Sequence, residues 1–212
     1  EIYTNINTLS LHDALPISLS YNDNGQVVGT TIKTTNPDGT VTNDNISYAY
    51  DKFGRVSQTV AVHTAADGTT TTEDKVLQYN ENGQVIGSII KTTNADGTLT
   101  NDNISYAYDK FGRVSQSVTV HTAADGTTTT KDEALQYNEL GQVTGSITKT
   151  TNADGTLTND NITYAYDKFG RISTQTIVTT NPDGTVVTKV EALRYNDNGQ
   201  VVGTTMKTTN PD

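Results

Sequence analysis

The chain has 212 residues, of which 33% are hydrophobic and 18% are charged; its net charge is −10, and it contains no Cys or Trp. The lack of Cys excludes a disulfide scaffold, a thiolate zinc site and a cysteine nucleophile. The negative net charge argues against a surface that binds nucleic acid or an anionic membrane. The sequence has no run of 18 apolar residues, the length that a membrane-spanning helix needs. Abundant Thr, Asn, Asp and Gly favour strands and turns over helices.

The first 17 residues, EIYTNINTLSLHDALPI, do not resemble the rest of the chain. The stretch TLSLHDALPI at 8–17 reads like the translation of a common short-read sequencing adapter, and Glu1-Ile2-Tyr3 fits the same oligonucleotide family. A signal peptide is a poorer interpretation, because the segment lacks a basic start and a continuous apolar centre. The sequence therefore predicts that residues 1–18 are adapter-derived, non-native and disordered, and that the source is metagenomic.

Residues 19–212 form a tandem array of 29-residue units, each of which begins with Tyr. Alternate units are nearly identical, so the full repeat is 58 residues long. We expect the array to be truncated at both ends, because it stops within a turn motif at Pro211-Asp212 and shows no capping repeat. The unit-initial tyrosines are Tyr21, Tyr50, Tyr79, Tyr108, Tyr137, Tyr166 and Tyr195.

Each unit carries two turn motifs that end in Gly. One follows the Tyr, as in Asp109-Lys110-Phe111-Gly112, and the other reads Asn/Ala-Pro/Ala-Asp-Gly, as in Ala123-Ala124-Asp125-Gly126. Asx at the first position and a left-handed Gly at the fourth are typical of a type I turn with a G1 bulge, which joins two strands of a hairpin. The sequence predicts an all-β, solenoid-like protein: an antiparallel hairpin meander of roughly a dozen strands in a curled or spiralling strip.

The pairing register depends on the loop lengths of the two turn classes. If both use three-residue loops, Tyr108 lies opposite Val114 and Tyr106 opposite Gln116, while Tyr79 lies opposite Val85 on the other face of the sheet. The flip arises because 29 is odd and strand side chains repeat every two residues. A different loop length in one turn class would remove the flip, and the sequence alone leaves both arrangements open.

Paired tyrosines are the candidate ligand platform. They could form an aromatic ladder for glycans, or they could simply cover the sheet and pack across strands, which is the commoner role. The pairs are Tyr48 and Tyr50, Tyr106 and Tyr108, and Tyr164 and Tyr166.

No catalytic, cofactor-binding or metal-binding constellation is predicted. His63 and His121 are expected to be solvent-facing strand residues, since equivalent positions of successive repeats do not converge. The segment 94–97 with Asp102 is only faintly similar to a calcium loop, and turn chemistry explains the same residues.

The segments YAYDKFGRVSQ at 48–58 and 106–116, and YAYDKFGRIST at 164–174, resemble the YD, or RHS, repeat. The pattern is Tyr-Asp-x-x-Gly-Arg followed by a hydrophobic residue, and it is met at Tyr108, Asp109, Gly112, Arg113 and Val114. The resemblance implies large bacterial secreted or surface proteins whose repeats form a β-sheet shell or stalk, with any activity in a separate terminal region. Units of 29 residues are longer than is usual in that family.

These features predict a structural stalk, shell or spacer that is extracellular or on the bacterial cell surface and is not an enzyme. The alternative is a multivalent adhesin that binds host or cell-wall glycans. A further similarity, of YNENGQVIGS at 79–88 to glucan-binding repeats, is weakened by the absence of Trp. The expected partners are glycans and, through unpaired edge strands, other copies of the chain; nucleic acid and membrane insertion are not expected.

Overall fold

The computed structural model describes residues 17–210 and contains fourteen β-strands; this part of the chain has no helix. The all-β hairpin meander predicted from the sequence is confirmed. The adapter-like segment lies outside the described residues except for Ile17 and Ser18, which belong to the first strand because they pair with Ile32 and Thr31. The strands are β1 (Ile17–Tyr21), β2 (Val27–Thr35), β3 (Val41–Tyr50), β4 (Val56–Thr64), β5 (Thr70–Tyr79), β6 (Val85–Thr93), β7 (Leu99–Tyr108), β8 (Val114–Thr122), β9 (Thr128–Tyr137), β10 (Val143–Thr151), β11 (Leu157–Tyr166), β12 (Ile172–Thr180), β13 (Val186–Tyr195) and β14 (Val201–Thr209).

The strands follow one another in chain order in one antiparallel sheet, with β1 and β14 at the two ends of that order. The chain divides into two compact units, which are larger than the 29-residue repeat units; below, 'first unit' and 'second unit' always mean these two compact units. The first contains the described residues up to Val76 together with Lys91–Thr98, and the second contains Leu77–Ile90 and the residues from Leu99 onward. Within each compact unit, the turns after the unit-initial Tyr lie at one end of the strands, and the Asp-Gly turns lie at the other end. Each of these two rows of turns is termed an edge of the sheet, as distinct from its terminal strands.

Both turn classes have the same backbone hydrogen bonds. In the turn that follows Tyr108, the Gly112 N–H donates to the Asp109 carbonyl at 3.0 Å and the Asp109 N–H donates to the Arg113 carbonyl at 2.8 Å. The Ala123–Thr127 turn repeats this pattern. All thirteen turn glycines in the described residues have φ between 76° and 85°, a region that only Gly adopts without strain. The G1 hairpins expected from the sequence are therefore present.

A β-bulge adjoins six of the Tyr turns, and it makes the observed register differ from the predicted one. Tyr108 pairs with Val114 as expected, but Ala107 rather than Tyr106 pairs with Gln116, and Tyr106 pairs with Ser117. Ser115 is the extra residue, and it shortens the effective repeat from 29 residues to an even number. Because of this extra residue, the predicted flip between faces is absent. A difference in loop length is not the cause, since the loops of the two turn classes are equally long.

The tyrosines of successive units therefore share one face of the sheet, here termed the Tyr face. In the second unit, Tyr106 pairs with Ser117 and Ser117 with Glu133, which lies on the same face as Tyr137 four residues later. No hydrophobic side chain in the described residues is buried. Ser88, Ser146 and Thr148 are the buried polar residues; with Gly87 and Gly145 they are the buried positions of the described sheet, and its other residues are half-buried or exposed.

Candidate functional site

The unit-initial tyrosines have a structural hydrogen bond. The Tyr108 hydroxyl donates to the Val85 carbonyl at 2.6 Å, and the ladder between β10 and β11 shows why such a carbonyl is available. That ladder begins at Gly145 and Thr163, so the Val143 carbonyl lies beyond it and accepts from the Tyr166 hydroxyl. Buried or half-buried carbonyls need a partner, and the tyrosine provides one. The same bond joins Tyr50 to Val27, Tyr137 to Val114, and Tyr195 to Ile172.

The predicted Tyr platform is only partly available in this arrangement. All six residues of the platform, Tyr48, Tyr50, Tyr106, Tyr108, Tyr164 and Tyr166, are half-buried. The hydroxyls of the second member of each pair, Tyr50, Tyr108 and Tyr166, are the ones that donate to a strand carbonyl.

The Asp of the Tyr-Asp motif organises its own turn. Asp109 Oδ1 accepts from the backbone N–H groups of Phe111 and Arg113 at 2.8 and 3.0 Å, and Oδ2 accepts from Arg113 Nε at 2.6 Å. Desolvation raises the pKa of this carboxyl, but the hydrogen bonds from Arg113 and Phe111 and the charge of Arg113 outweigh it, so the pKa is lowered overall. Asp51 and Asp167 have the same contacts.

The Arg of the motif extends to the next turn along the edge. The guanidinium of Arg113 lies 4.9 Å from the Phe111 ring centre and 4.3 Å from that of Tyr137, which begins the following unit. Arg171 is placed in the same way against Phe169 and Tyr195. Stacking of a guanidinium on two aromatic rings is favourable, so each such Arg links two consecutive turns.

The alternate units use an uncharged version of the same link. Asn138 donates from Nδ2 to Gln142 Oε1 at 2.8 Å and accepts the Gln142 N–H at Oδ1. Gln142 Nε2 then donates to the Gly170 carbonyl in the next turn at 3.0 Å. The pairs Gln84–Gly112 and Gln26–Gly54 repeat this contact.

The Asp-Gly turns of the opposite edge are uniformly acidic. Asp125 Oδ1 accepts from the Thr127 hydroxyl at 2.7 Å and from the Thr127 N–H at 2.9 Å. These two hydrogen bonds lower the pKa of the carboxyl. The equivalent aspartates, whose pKa is lowered in the same way, are Asp38, Asp67, Asp96, Asp154 and Asp183.

Both histidines lie on strands, His63 exposed and His121 half-buried, and each contacts an Asp on the preceding strand. His63 Nδ1 is 2.6 Å from Asp44 Oδ1, and His121 Nδ1 is 2.6 Å from Asp102 Oδ1. In the third repeat, Thr179 donates to Asp160 in place of the His. Asp96 and Asp102 of the calcium-like segment therefore bond Thr98 and His121. Within residues 17–210, no group of three or more His, Cys, Asp or Glu could hold a metal ion, and no helix there is long and apolar enough to cross a membrane.

The links between consecutive turns were not predicted. The sequence carries a signal only for the contact within each turn, because Asp at the first turn position always occurs with Arg at the fifth, and Asn with Gln. Such covariation among repeats indicates that these two positions contact each other, but it does not indicate the contact with the next turn.

Comparison with known proteins supports the resemblance seen in the sequence. A search of curated proteins finds no match. A solved structure, a porin-like protein from Bacteroides vulgatus ATCC 8482, is 14% identical with a TM-score of 0.41 and covers 85% of this chain and 94% of its own. Residues 21–70 match the family model of the RHS repeat, so this part of the chain is similar to an RHS, or YD, repeat.

Proposed function

We propose that the array is a non-catalytic scaffold, a stalk, shell or spacer, in a large secreted or surface protein of a bacterium. The observation that carries the proposal is the use made of the motif residues. The Tyr hydroxyl, the Asp carboxylate and the Arg guanidinium each bind the turn or its neighbour. The polar and charged side chains of this motif therefore stabilise the turns and the contacts between neighbouring repeat units.

Such contacts between neighbours suit a part whose length matters. Each unit contacts its neighbours in the strand order, and in the second unit the turn-to-turn links repeat along one edge. Stability in such an array is a sum of unit terms and nearest-neighbour terms. The RHS match at residues 21–70 agrees with a structural repeat region.

The scaffold proposal is tested by increasing the number of repeats in the chain. One and two additional copies of the 58-residue repeat 108–165 are inserted after residue 165, and thermal unfolding is followed by circular dichroism at 218 nm. The melting temperature should rise with each copy, because every copy adds nearest-neighbour links. A melting temperature that does not change with repeat number would contradict the scaffold proposal.

The adhesin alternative is tested separately, on the same chain. Retention of the chain on insoluble cell-wall and polysaccharide preparations would favour it, provided that retention falls when Tyr48→Ala, Tyr106→Ala and Tyr164→Ala together remove the first ring of each platform pair. The first ring is chosen because the second also binds a strand carbonyl, as Tyr108 binds that of Val85, so its loss would confuse folding with binding. Absence of retention on every preparation leaves the scaffold as the function of this region.

A further inference from the structure

The turns after the Tyr residues present a row of exposed side chains along one edge of the second unit. Five such turns lie there: 80–84, 109–113, 138–142, 167–171 and 196–200. Consecutive turns are two strands apart, so their tips are spaced by about 9.5 Å. The second and third residues of the five turns are termed the tip row. Its members are Glu81, Asn82, Lys110, Phe111, Glu139, Leu140, Lys168, Phe169, Asp197 and Asn198, and all of them are exposed.

The charges of the tip row alternate in sign. The second position of each turn holds Glu81, Lys110, Glu139, Lys168 and Asp197 in chain order, which gives minus, plus, minus, plus, minus. By contrast, the Asp-Gly turns on the opposite edge of this unit carry only acidic charges, at Asp125, Asp154 and Asp183. The two edges therefore differ: a row of alternating sign can pair with a second copy of itself, whereas a uniformly acidic row repels its copy.

The middle of the tip row is apolar as well as charged. Phe111, Leu140 and Phe169 are 70%, 83% and 69% exposed, although they are large hydrophobic residues. In the turns at either end of the row the third position is Asn82 or Asn198. Leu140 is therefore the residue that joins the two phenylalanines into one apolar stretch. Lys110 and Lys168 lie 5.0 and 4.9 Å from the adjacent phenylalanine rings.

The row is rigidly presented. Its turns are joined to one another by the bond from Gln84 to Gly112, by Arg113 on Tyr137, and by the bond from Gln142 to Gly170. The backbone of these turns is therefore ordered before association, and the conformational entropy lost on association is chiefly that of the exposed side chains.

We propose that the tip row is a self-association surface whose partner is the tip row of a second copy of this chain. The two rows run antiparallel and are offset by one turn about a two-fold axis between the 109–113 and 138–142 turns. Lys110 then faces Glu139 of the second copy and Glu81 faces Lys168, with both pairs repeated by the symmetry. Phe111 meets Leu140 of the second copy in the same arrangement. An unshifted antiparallel pairing would instead place Lys110 against Lys168 and Glu139 against itself.

The size of the surface sets the expected strength. Four facing turns span about 30 Å by about 10 Å, or roughly 300 Å² per partner, which is well below the roughly 800 Å² of a stable interface. The contact formed by one chain is therefore weak, and it strengthens with the number of repeats through avidity. This association goes beyond the scaffold role, since it would join scaffolds side by side.

A charge-swap experiment tests the proposal. The full chain is studied by analytical ultracentrifugation in about 20 mM salt, where exposed charges are poorly screened. An acidic variant carries Lys110→Glu and Lys168→Glu, and a basic variant carries Glu81→Lys, Glu139→Lys and Asp197→Lys. Each variant alone should associate more weakly than the unchanged chain, by a factor of about ten or more. The equimolar mixture should associate at least as strongly as the unchanged chain.

The control changes the net charge by the same amount as the acidic variant, but away from the turns. Lys33→Glu with Lys207→Glu alters two exposed strand residues that lie opposite Asn43 and Val190, and should leave self-association unchanged apart from a general effect of net charge. Circular dichroism verifies that every variant is folded. The proposal is overturned if the unchanged chain stays monomeric at all concentrations, if the control loses association as fully as the acidic variant, or if mixing the two variants restores nothing.

Discussion

Tyr108 illustrates how one residue of the motif compensates for a defect created by another part of the fold. The bulge keeps the tyrosines on one face, but the ladder between β10 and β11 begins only at Gly145, two residues after the start of β10 at Val143. The Tyr166 hydroxyl donates to the Val143 carbonyl, which lies beyond that ladder, and the Tyr108 hydroxyl donates to the equivalent Val85 carbonyl at 2.6 Å. A Phe would fill the same space without supplying the donor.

Tyr108→Phe is therefore expected to destabilise the chain by about 1 kcal/mol, the usual net contribution of one hydrogen bond, with the higher end of the range applying if the carbonyl stays dry. Urea unfolding followed by circular dichroism measures the change. Tyr106→Phe is the matched control, since Tyr106 lies on the same face but is not among the tyrosines bound to a strand-initial carbonyl. Equal effects of the two substitutions would contradict the assigned role.

At the scale of the element, the bulge decides which face each side chain occupies. Ser115 opposes no residue of β7, because Tyr108 pairs with Val114 and Ala107 with Gln116. Deleting Ser115 would convert the bulge into a regular ladder and leave every later pair in place. Deleting Thr119, which pairs with Ile104, would shift all the preceding pairs of β8 relative to those that follow and reverse their faces.

We expect the chain without Ser115 to fold with a modestly lower melting temperature, and the chain without Thr119 to lose cooperative unfolding. Thermal unfolding and amide hydrogen exchange measure both variants, which differ by one residue from the same strand. A cooperative transition in the chain without Thr119, or none in the chain without Ser115, would show that register is set elsewhere.

The hairpins themselves could be predicted from the sequence, whereas their exact pairing could not. Asx at the first turn position and Gly at the fourth define the turn geometry locally, and the structure has it at all thirteen turn glycines of the described residues. A bulge is different, because any residue can occupy it and Ser115 has no distinctive chemistry. The observation that the tyrosines would otherwise alternate between faces was the available clue. The Arg113–Tyr137 stack depends on two turns lying side by side, which follows only once the register is known.

At the scale of the whole molecule, the sheet lacks a buried hydrophobic side chain in its described part, so polar contacts in the turns carry an unusual share of the stability. Nine turn aspartates have a pKa below the ordinary value of 3.8, six because of Thr and three because contacts with Arg and the backbone exceed the cost of desolvation. A carboxyl whose pKa is lower in the folded than in the unfolded state stabilises the fold when it is ionised.

The direction of the pH dependence follows from this sign. The stabilisation is complete above pH 3.8, the unfolded value, and is lost as the pH falls from there through the lowered folded values. Melting temperature should thus change little between about pH 7 and pH 5 and fall below about pH 4. The variant with Asp125→Asn, Asp154→Asn and Asp183→Asn keeps an oxygen acceptor in each turn but cannot titrate there. Its melting temperature should fall less steeply in acid than that of the unchanged chain, because fewer linked protons are taken up on unfolding; parallel curves for the two chains would place the acid sensitivity outside the Asp-Gly turns.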